Sequence, residues 1–362
     1  MRRGHPRPPH PGEPVPSVPP VEKKPTGPPP ATGASGRPLR TAYIIIRETL
    51  TSRRARLTSR EGGRYNSGRA NSDSAIRKGG KLREKSMPPK KKTVEIREFH
   101  TPAHGIFFRA RRRLISRHSP YQKIEVFDTD FFGRVLMLDG LVQTTTKDEF
   151  FYHEMLVHPA MMSHPSPDDV LIIGGGDGGA LREVLLYPVK QATLVEIDGE
   201  VIATCKKYFP WLGAALRDRR AKLEIAEGNR FIQETSQKFD VILVDSSDPV
   251  GPSLILHQKE FYARLKERLK PGGIVAAQAG SPLYYLDHLQ KKMAFLRRLF
   301  KYASLYLGPV PTYPGGLWSY IFLSDKINPQ RAPKRRLRNG LRYYNPNIHR
   351  AAFALPEFLK LP

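Results

Sequence analysis

The arrangement of apolar and polar positions changes twice along the chain. A regular pattern begins only near residue 93, and up to about residue 158 it is typical of short strands separated by turns. Asp139-Gly140 is a hairpin turn signal between two of them. The pattern predicts a small antiparallel β domain over residues 93–160 that includes a linking helix, with strands at 121–127, 133–138 and 141–145 and the helix at 147–162.

From Asp169 onward, apolar strand-like runs alternate with helical stretches. This alternation is typical of a doubly wound, Rossmann-like α/β domain with a mainly parallel sheet. We expect this domain to cover residues 161–362 and to end in a C-terminal tail. The predicted strands are 170–173, 192–196, 221–226, 241–244, 273–278, 302–307 and 318–324, and the predicted helices are 181–186, 200–208, 230–237, 259–269 and 287–299.

The first strand of that domain runs into a glycine-rich turn, residues 174–179, that contains Asp177. Glycines in such a turn let the backbone approach a nucleoside closely. A turn that offered only backbone amides would favour a phosphate. The carboxylate of Asp177 instead favours a cationic group on the ligand.

Carboxylates also follow the next two strands. Glu196 stands about twenty positions past the glycine turn, which suits the hydroxyls of a ribose, whereas Asp198 fits a charge at a helix N-terminus. Glu227 and Gly228 come after the third strand. They fit contacts to an adenine, and equally an ordinary turn before a helix capped by Asn229.

The fourth strand ends in a loop with two carboxylates, Asp245 and Asp248, and the prolines Pro249 and Pro252 keep that loop irregular. Helix capping explains at most one of the two carboxylates. Paired carboxylates bind a cationic amine, and one of them can act as a general base. Together with Asp177 they favour a nucleoside with a cationic tail as one substrate and a second amine as nucleophile.

The formal net charge is +26, and residues 1–92 carry 22 Lys and Arg against 6 Asp and Glu. Residues 1–86 are rich in Pro, Arg, Gly and Ser, so we expect a disordered basic extension there that continues to residue 92. A basic arm for nucleic acid and an organelle-targeting segment are two explanations. We favour a third, upstream sequence read from a misassigned start, with Met87 as the candidate true start. Cys205 is the only cysteine, which fits a reducing compartment and a cytoplasmic location.

Several further motifs occur in a characteristic order from about residue 121 to residue 361. On these motifs the chain resembles the spermidine synthases, a family of polyamine aminopropyltransferases. The motifs are Asp139-Gly140 with Gln143-Thr144-Thr145, Asp148-Glu149-Phe150 with Tyr152-His153-Glu154-Met155, residues 174–179, Glu196-Ile197-Asp198, residues 245–249, residues 311–314, and Tyr343-Tyr344-Asn345 with residues 353–356.

The resemblance implies transfer of an aminopropyl group from decarboxylated S-adenosylmethionine to putrescine, giving spermidine and methylthioadenosine. It implies Asp245 as the proton acceptor and Asp177 as the partner of the aminopropyl amine. The polyamine side would be completed by Tyr152, His153, Ser246, Ser247, Asp248, Gln278 and Tyr313, and the methylthioadenosine part would lie against Gln122, Glu196, Glu227, Gly228 and Pro252. It further implies no metal or cofactor, small-molecule partners only, and a homodimer or homotetramer.

Two departures from the family pattern leave the acceptor amine open. Glu227 stands where relatives commonly have Asp, and the residues after Gln278 lack the acidic side chain found in some relatives. Agmatine, cadaverine and spermidine therefore remain alternatives to putrescine. A methyltransferase of the same fold and a nucleic-acid-binding protein are less favoured, because neither explains the acidic strand ends.

Overall fold

The computed structural model describes residues 93–247, 251–330 and 340–359. The predicted disordered extension, including Met87, lies outside these residues. Within them, no helix is both long enough and apolar enough to cross a membrane. The predicted division of the chain at residue 160 falls within the first helix and stays a prediction.

The first part of the described chain forms a five-stranded antiparallel sheet in the order β1-β2-β3-β4-β5. The three predicted strands are present, shifted by at most two residues. Two longer strands precede them, and neither was located from the sequence; in the second, charged residues interrupt the apolar alternation. The strands are β1 (Val94–Thr101), β2 (His104–His118), β3 (Lys123–Thr129), β4 (Arg134–Leu138) and β5 (Leu141–Thr145).

The second sheet has seven strands in the order β11-β12-β10-β9-β6-β7-β8. Its five strands from β10 to β8 are parallel, and β12 and β11 continue it in antiparallel pairing. The predicted α/β fold with a mainly parallel sheet is confirmed. The strands are β6 (Asp169–Gly174), β7 (Gln191–Glu196), β8 (Ala221–Ile225), β9 (Phe239–Asp245), β10 (Leu269–Gly280), β11 (Tyr302–Pro309) and β12 (Leu317–Ser324).

Helices connect and cover these strands, and the predicted ones are all present within three residues at each end. The C-terminal α8 was missed within the predicted tail. The helices are α1 (Glu149–Ser163), α2 (Gly179–Val184), α3 (Gly199–Tyr208), α4 (Pro210–Gly213), α5 (Gly228–Glu234), α6 (Lys259–Glu267), α7 (Leu286–Leu299) and α8 (Pro346–Ala352), with 3₁₀ turns at Ala215–Arg217, Gly251–His257 and Glu357–Leu359.

Both faces of the large sheet are buried. Along β6, Val170 and Ile172 face the core shared with α1 and α2, whereas Leu171 and Ile173 face the core shared with α6 and α7. Successive side chains of a strand point to opposite faces, so a strand covered on both sides must be apolar throughout. Burial on both faces therefore explains why β6 is a continuous apolar run in the sequence.

The small sheet packs against helices of the larger fold. Ile124 and Val126 of β3 lie in one apolar cluster with Cys205 of α3 and with Phe209 and Leu212 beside it. Cys205 is fully buried there and is a free thiol. The cluster packs one face of the small sheet against the helix that follows β7.

Helix α1 is buried on almost all sides. Its buried Glu154 accepts hydrogen bonds from the backbone amides of Arg342, Tyr343 and Tyr344, at 2.9, 2.8 and 2.8 Å. A buried carboxylate is stable only when its oxygens are paired in this way. The contact fixes the C-terminal segment against α1.

The chain reverses its direction of winding at β6, which lies between β9 and β7. Gly174 at the end of β6 is paired in register with Asp245 at the end of β9. In doubly wound sheets, ligands bind outside the carboxyl ends of the strands at such a switch point. The fold therefore places the glycine turn and Asp245 together where a ligand site is expected.

Candidate active site

Close backbone approaches explain three glycines of the turn after β6. Gly174 and Gly175 have positive φ angles, and the Gly175 amide donates to the Asp245 carbonyl at 3.0 Å. A Cβ atom on Gly174 would lie 2.1 Å from that carbonyl oxygen, and one on Gly176 would lie 2.8 Å from Cγ of Glu196. The glycines thus allow the ends of β7 and β9 to pack directly against the backbone of the turn.

Asp177 stands in this turn just before α2 and is 12% exposed at its side chain. Its Oδ1 accepts a hydrogen bond from the Gly179 amide at 2.8 Å, and its Oδ2 lies 3.3 Å from Nε2 of His153. The carboxylate is therefore oriented by the first turn of α2 and by a side chain of α1. The structure places Asp177 beside His153, as the predicted site requires.

His153 is buried between two carboxylates. Its Nδ1 lies 2.7 Å from Oε2 of Glu149, one helical turn earlier, and Nε2 faces Asp177. Burial alone would lower the pKa of His153, but Asp177 and Glu149 raise it well above its ordinary value. Both ring nitrogens face carboxylate oxygens, which only accept hydrogen bonds, so the arrangement fits an imidazolium that donates from both nitrogens.

Glu149 is in turn held by Arg182, whose Nη1 and Nη2 donate to its two oxygens at 2.8 and 2.9 Å. Burial would raise the pKa of Glu149, but hydrogen bonds from His153 and Arg182 lower it to about 2. Sequence reasoning gave no role to Glu149 or Arg182. The spacing of four residues between Glu149 and His153 was the available signal, since such residues are neighbours on a helix.

Asp245 lies on the other side of the turn, where Tyr152 donates a hydrogen bond to its Oδ1 at 2.6 Å. The Tyr152 ring is buried and lies 5.5 Å from Tyr313 and 5.8 Å from Tyr320, between ring centroids. Burial and the nearby charge of Asp177 raise the pKa of Asp245 to about 6, against the opposing effects of His153 and Tyr152. A carboxylate with that pKa can accept a proton near neutral pH.

The Asp245 loop continues through Ser246 and Ser247. Nε2 of Gln278 donates to the Ser246 carbonyl at 2.7 Å and lies 3.3 Å from the Ser247 carbonyl, while its Oε1 accepts from the Gly280 amide. Gln278 therefore fixes the loop from β10. Asp248 lies outside the described residues, as does the side chain of Pro252, whose backbone belongs to the Gly251–His257 turn.

Tyr313 reaches the site from the loop between β11 and β12. Its hydroxyl donates to the Gln143 carbonyl at 2.5 Å, which connects that loop to β5 of the small sheet. Its ring also lies 4.7 Å from the ring of Trp318. The structure places Tyr313 beside Tyr152, and its role on the polyamine side stays a prediction.

The predicted ribose residue, Glu196, lies at the end of β7 beside the glycine turn. Its oxygens accept from the amides of Gly176 and Asp198 at 3.1 and 2.9 Å, and burial raises its pKa to about 7. Asp198 caps α3 through the Glu200 amide, which confirms the interpretation of its charge.

Gln122, predicted to contact the nucleoside, donates from Nε2 to Oδ2 of Asp198 at 2.9 Å. Ser119 donates to the same oxygen at 2.6 Å. The side chain of Gln122 thus lies beside the end of β7 but is engaged with the capping aspartate. Its contact with a nucleoside stays a prediction.

Glu227, rather than Asn229, caps α5. Its two oxygens accept from the amides of Asn229 and Arg230 at 2.8 and 2.7 Å. The suggested capping role of Asn229 is wrong, because its side chain is turned toward Arg264, which donates to it at 2.7 Å. Gly228 packs tightly, since an added Cβ would lie 2.4 Å from Cγ2 of Ile173.

Within the part of the chain that the structure describes, one group of side chains has the composition and spacing of a possible metal site. His153, Asp177 and Asp245 each offer one ligand atom, and these atoms lie within 4.8 Å of one another. A histidine must lose a proton to bind a metal, and here both ring nitrogens face carboxylates. Two carboxylates around one imidazolium leave a net negative charge, which suits an ammonium group.

Comparison with known proteins shows similarity over most of the described chain. Residues 149–332 match the spermine/spermidine synthase domain, and residues 96–146 match the spermidine synthase tetramerisation domain. A polyamine aminopropyltransferase of Leptospira biflexa is 45% identical over 259 residues, covering 71% of this chain and 92% of that protein. One from Moorella thermoacetica is 42% identical over 265 residues, covering 73% and 94%.

Solved structures show the same similarity. A spermidine synthase in complex with the transition-state analogue AdoDATO is 38% identical, with a TM-score of 0.70, and the match covers 77% of this chain and 97% of that one. The spermidine synthase of Thermotoga maritima is also 38% identical, with a TM-score of 0.69 over 77% and 96% of the two chains.

The turn allows one sharp test, because α2 and α3 both begin with a glycine. In Gly179→Ala the new Cβ would lie 2.1 Å from the His153 ring, which two carboxylates hold in place. We expect the ring to be displaced from Asp177 and kcat/KM to fall at least tenfold. Gly199→Ala is the matched control, since its nearest contact would be 3.8 Å. Equal activity of the two variants would contradict the importance of this close contact.

Proposed function

The chain belongs to the spermine/spermidine synthase family and is an aminopropyltransferase, and from this we propose that it converts putrescine to spermidine. The donor is decarboxylated S-adenosylmethionine, and the second product is methylthioadenosine. The observation that carries the proposal is the hydrogen bond of 2.6 Å that Tyr152 donates to Asp245, next to Asp177 and His153. In this proposal Asp245 supplies a base, and Asp177 and Asp245 supply negative charge, at the switch point of the sheet.

The reaction is a direct displacement at the carbon attached to the donor sulfonium. The lone pair of the acceptor amine forms the new C–N bond while the C–S bond breaks and its electrons return to sulfur. Asp245 takes the proton that the attacking amine must lose. Since a sulfonium departs as a neutral thioether, positioning of the two substrates supplies most of the remaining catalysis.

The donor is held from both sides of the glycine turn in this proposal. Asp177 pairs with the ammonium of the aminopropyl group, and its carboxylate would repel the carboxylate of intact S-adenosylmethionine. Glu196 accepts from the ribose hydroxyls, while Gln122, Glu227, Gly228 and Pro252 surround the methylthioadenosine part. The reaction needs neither metal nor cofactor.

The acceptor lies on the tyrosine side of Asp245 in this proposal. Tyr152 and Tyr313 form an aromatic wall for the methylene chain, and the loop with Ser246, Ser247 and Asp248 surrounds the amine. Gln278 supports that loop from behind. The net negative charge of the cluster explains how a strongly basic chain attracts a dication to its site.

We also propose that the protein assembles as a homodimer or homotetramer through the small sheet, which matches the tetramerisation domain. In the described part of the chain, β1 pairs with β2 only as far as Ala110, and residues 111–118 extend past it. Light scattering should give two or four times the chain mass of 41.0 kDa. A mass of one chain at micromolar concentration would contradict the assembly.

A substrate panel tests the proposed reaction. The purified protein is mixed with intact or decarboxylated S-adenosylmethionine and with putrescine, cadaverine, agmatine or spermidine, and products are identified by mass spectrometry. We expect methylthioadenosine only from the decarboxylated donor and the highest kcat/KM with putrescine. A methylated product from the intact donor would overturn the reaction, whereas a preference for another amine would overturn only the acceptor.

Asp245→Asn tests the base. The amide keeps the shape of the side chain but cannot take a proton, so we expect kcat to fall by about 100-fold or more. In the wild type the rate should fall as pH drops through about 6, because protonation of Asp245 removes the base. The variant should lack this pH limb while its thermal unfolding stays close to wild type. Near-normal turnover would remove Asp245 from the role.

A further inference from the structure

A lysine is buried beside the active-site loop, outside the group of residues that the sequence predicted. Lys292 of α7 is 2% exposed, and its Nζ lies 3.2 Å from Nδ1 of His257 and 4.9 Å from the centre of the Tyr262 ring. Burial lowers the pKa of Lys292 to about 7, and no described carboxylate opposes that shift. Burying an amine without a counter-charge costs free energy of folding, so the residue calls for a functional explanation.

His257 connects Lys292 to the loop that follows Asp245. It ends the Gly251–His257 turn, and its Nε2 lies 3.3 Å from the Ser247 carbonyl oxygen. A carbonyl only accepts hydrogen bonds, so Nε2 carries the ring proton and Nδ1 accepts from Lys292. Burial and the neighbouring Lys292 lower the pKa of His257 to about 3, which keeps the ring neutral as this arrangement requires.

The Ser247 carbonyl is therefore approached from two directions. Nε2 of Gln278 reaches it at 3.3 Å from β10 and holds the Ser246 carbonyl at 2.7 Å, and His257 reaches it from the side of α7. Two donors on one carbonyl determine the orientation of its peptide plane. The direction of that plane sets the path of the chain from Asp245 to Ser247.

We propose that Lys292 and His257 are positioning residues that hold the Ser246-Ser247 loop in the conformation that receives the acceptor amine. The role rests on the proposed function, in which this loop surrounds that amine. Lys292 acts only through His257, and His257 acts only through the Ser247 carbonyl. Lys292 fixes the tautomer of His257, and the fixed tautomer directs its proton at the loop.

Four variants test the proposal. Lys292→Met keeps the aliphatic stem but removes the donor, and His257→Leu removes the contact to Ser247. His257→Gln is the conservative variant, because its amide nitrogen can take the place of Nε2. Lys291→Met is the matched control on the exposed side of the same helix.

We expect Lys292→Met and His257→Leu to lower kcat/KM for the acceptor at least tenfold, while KM for the donor stays within twofold. His257→Gln should retain at least a third of wild-type kcat/KM. Backbone hydrogen exchange at Ser246 and Ser247 should be at least tenfold faster in the first two variants than in Lys291→Met. If Lys292→Met fails to fold, His257→Leu and His257→Gln still test the proposal, because they differ in whether the contact to the Ser247 carbonyl can form.

Kinetics and exchange equal to those of Lys291→Met would overturn the proposal. An equal loss of donor and acceptor affinity would also overturn it, because that result indicates a general packing defect. Absence of aminopropyl transfer in the wild type would contradict the proposed function instead. The exchange measurement would then decide the positioning role by itself, since it does not depend on activity.

Discussion

Oxygen atoms of Asp177 and Asp245 lie within 4.8 Å of each other, and carboxylates at that distance repel strongly where water is excluded. The site tolerates this repulsion because a chain of alternating charges runs from Arg182 through Glu149 and His153 to Asp177. Burial, together with the repulsion that remains, raises the pKa of Asp245. The same arrangement thus keeps Asp177 oriented and makes Asp245 a stronger base.

The geometry of the glycine turn, residues 174–179, depends both on its glycines and on the alternating charges that run from Arg182 to Asp177. Gly179 admits the His153 ring against the backbone at the start of α2, and Gly174 admits the end of β9. A donor ammonium paired with Asp177 would share that carboxylate with an imidazolium. The group formed by His153, Asp177 and Asp245 keeps a net negative charge, which favours a cationic ligand.

The sequence located the fold and the strand-end carboxylates because both depend on short-range signals. Apolar runs mark buried strands. Once a strand has been located, the residue that follows it is known as well. Contacts between distant segments were not visible in the same way. Gln122 binds Asp198 across 76 residues, and Tyr152 binds Asp245 across 93.

Capping was also difficult to assign from sequence. Asp198 was assigned correctly, but Glu227 takes the place at α5 that Asn229 was expected to hold, because the side chain of Asn229 is engaged by Arg264. The positions of Glu149, Arg182 and Lys292 depend on helices that meet only in the folded chain. Their residue types alone indicate exposed charged side chains. Because the fold buries them, they instead orient neighbouring groups, as Glu149 and Arg182 do for His153 and Lys292 does for His257.

The hydrogen bonds of Glu154 bear on the order in which the chain is completed during synthesis. Helix α1 carries Tyr152 and His153. Glu154 on the same helix accepts hydrogen bonds from backbone amides that lie up to 190 residues later in the chain. Contacts this distant in sequence form late, since a long stretch of chain must be ordered first. The helix at the centre of the active site is therefore among the earlier elements to leave the ribosome and among the last to gain its full set of partners.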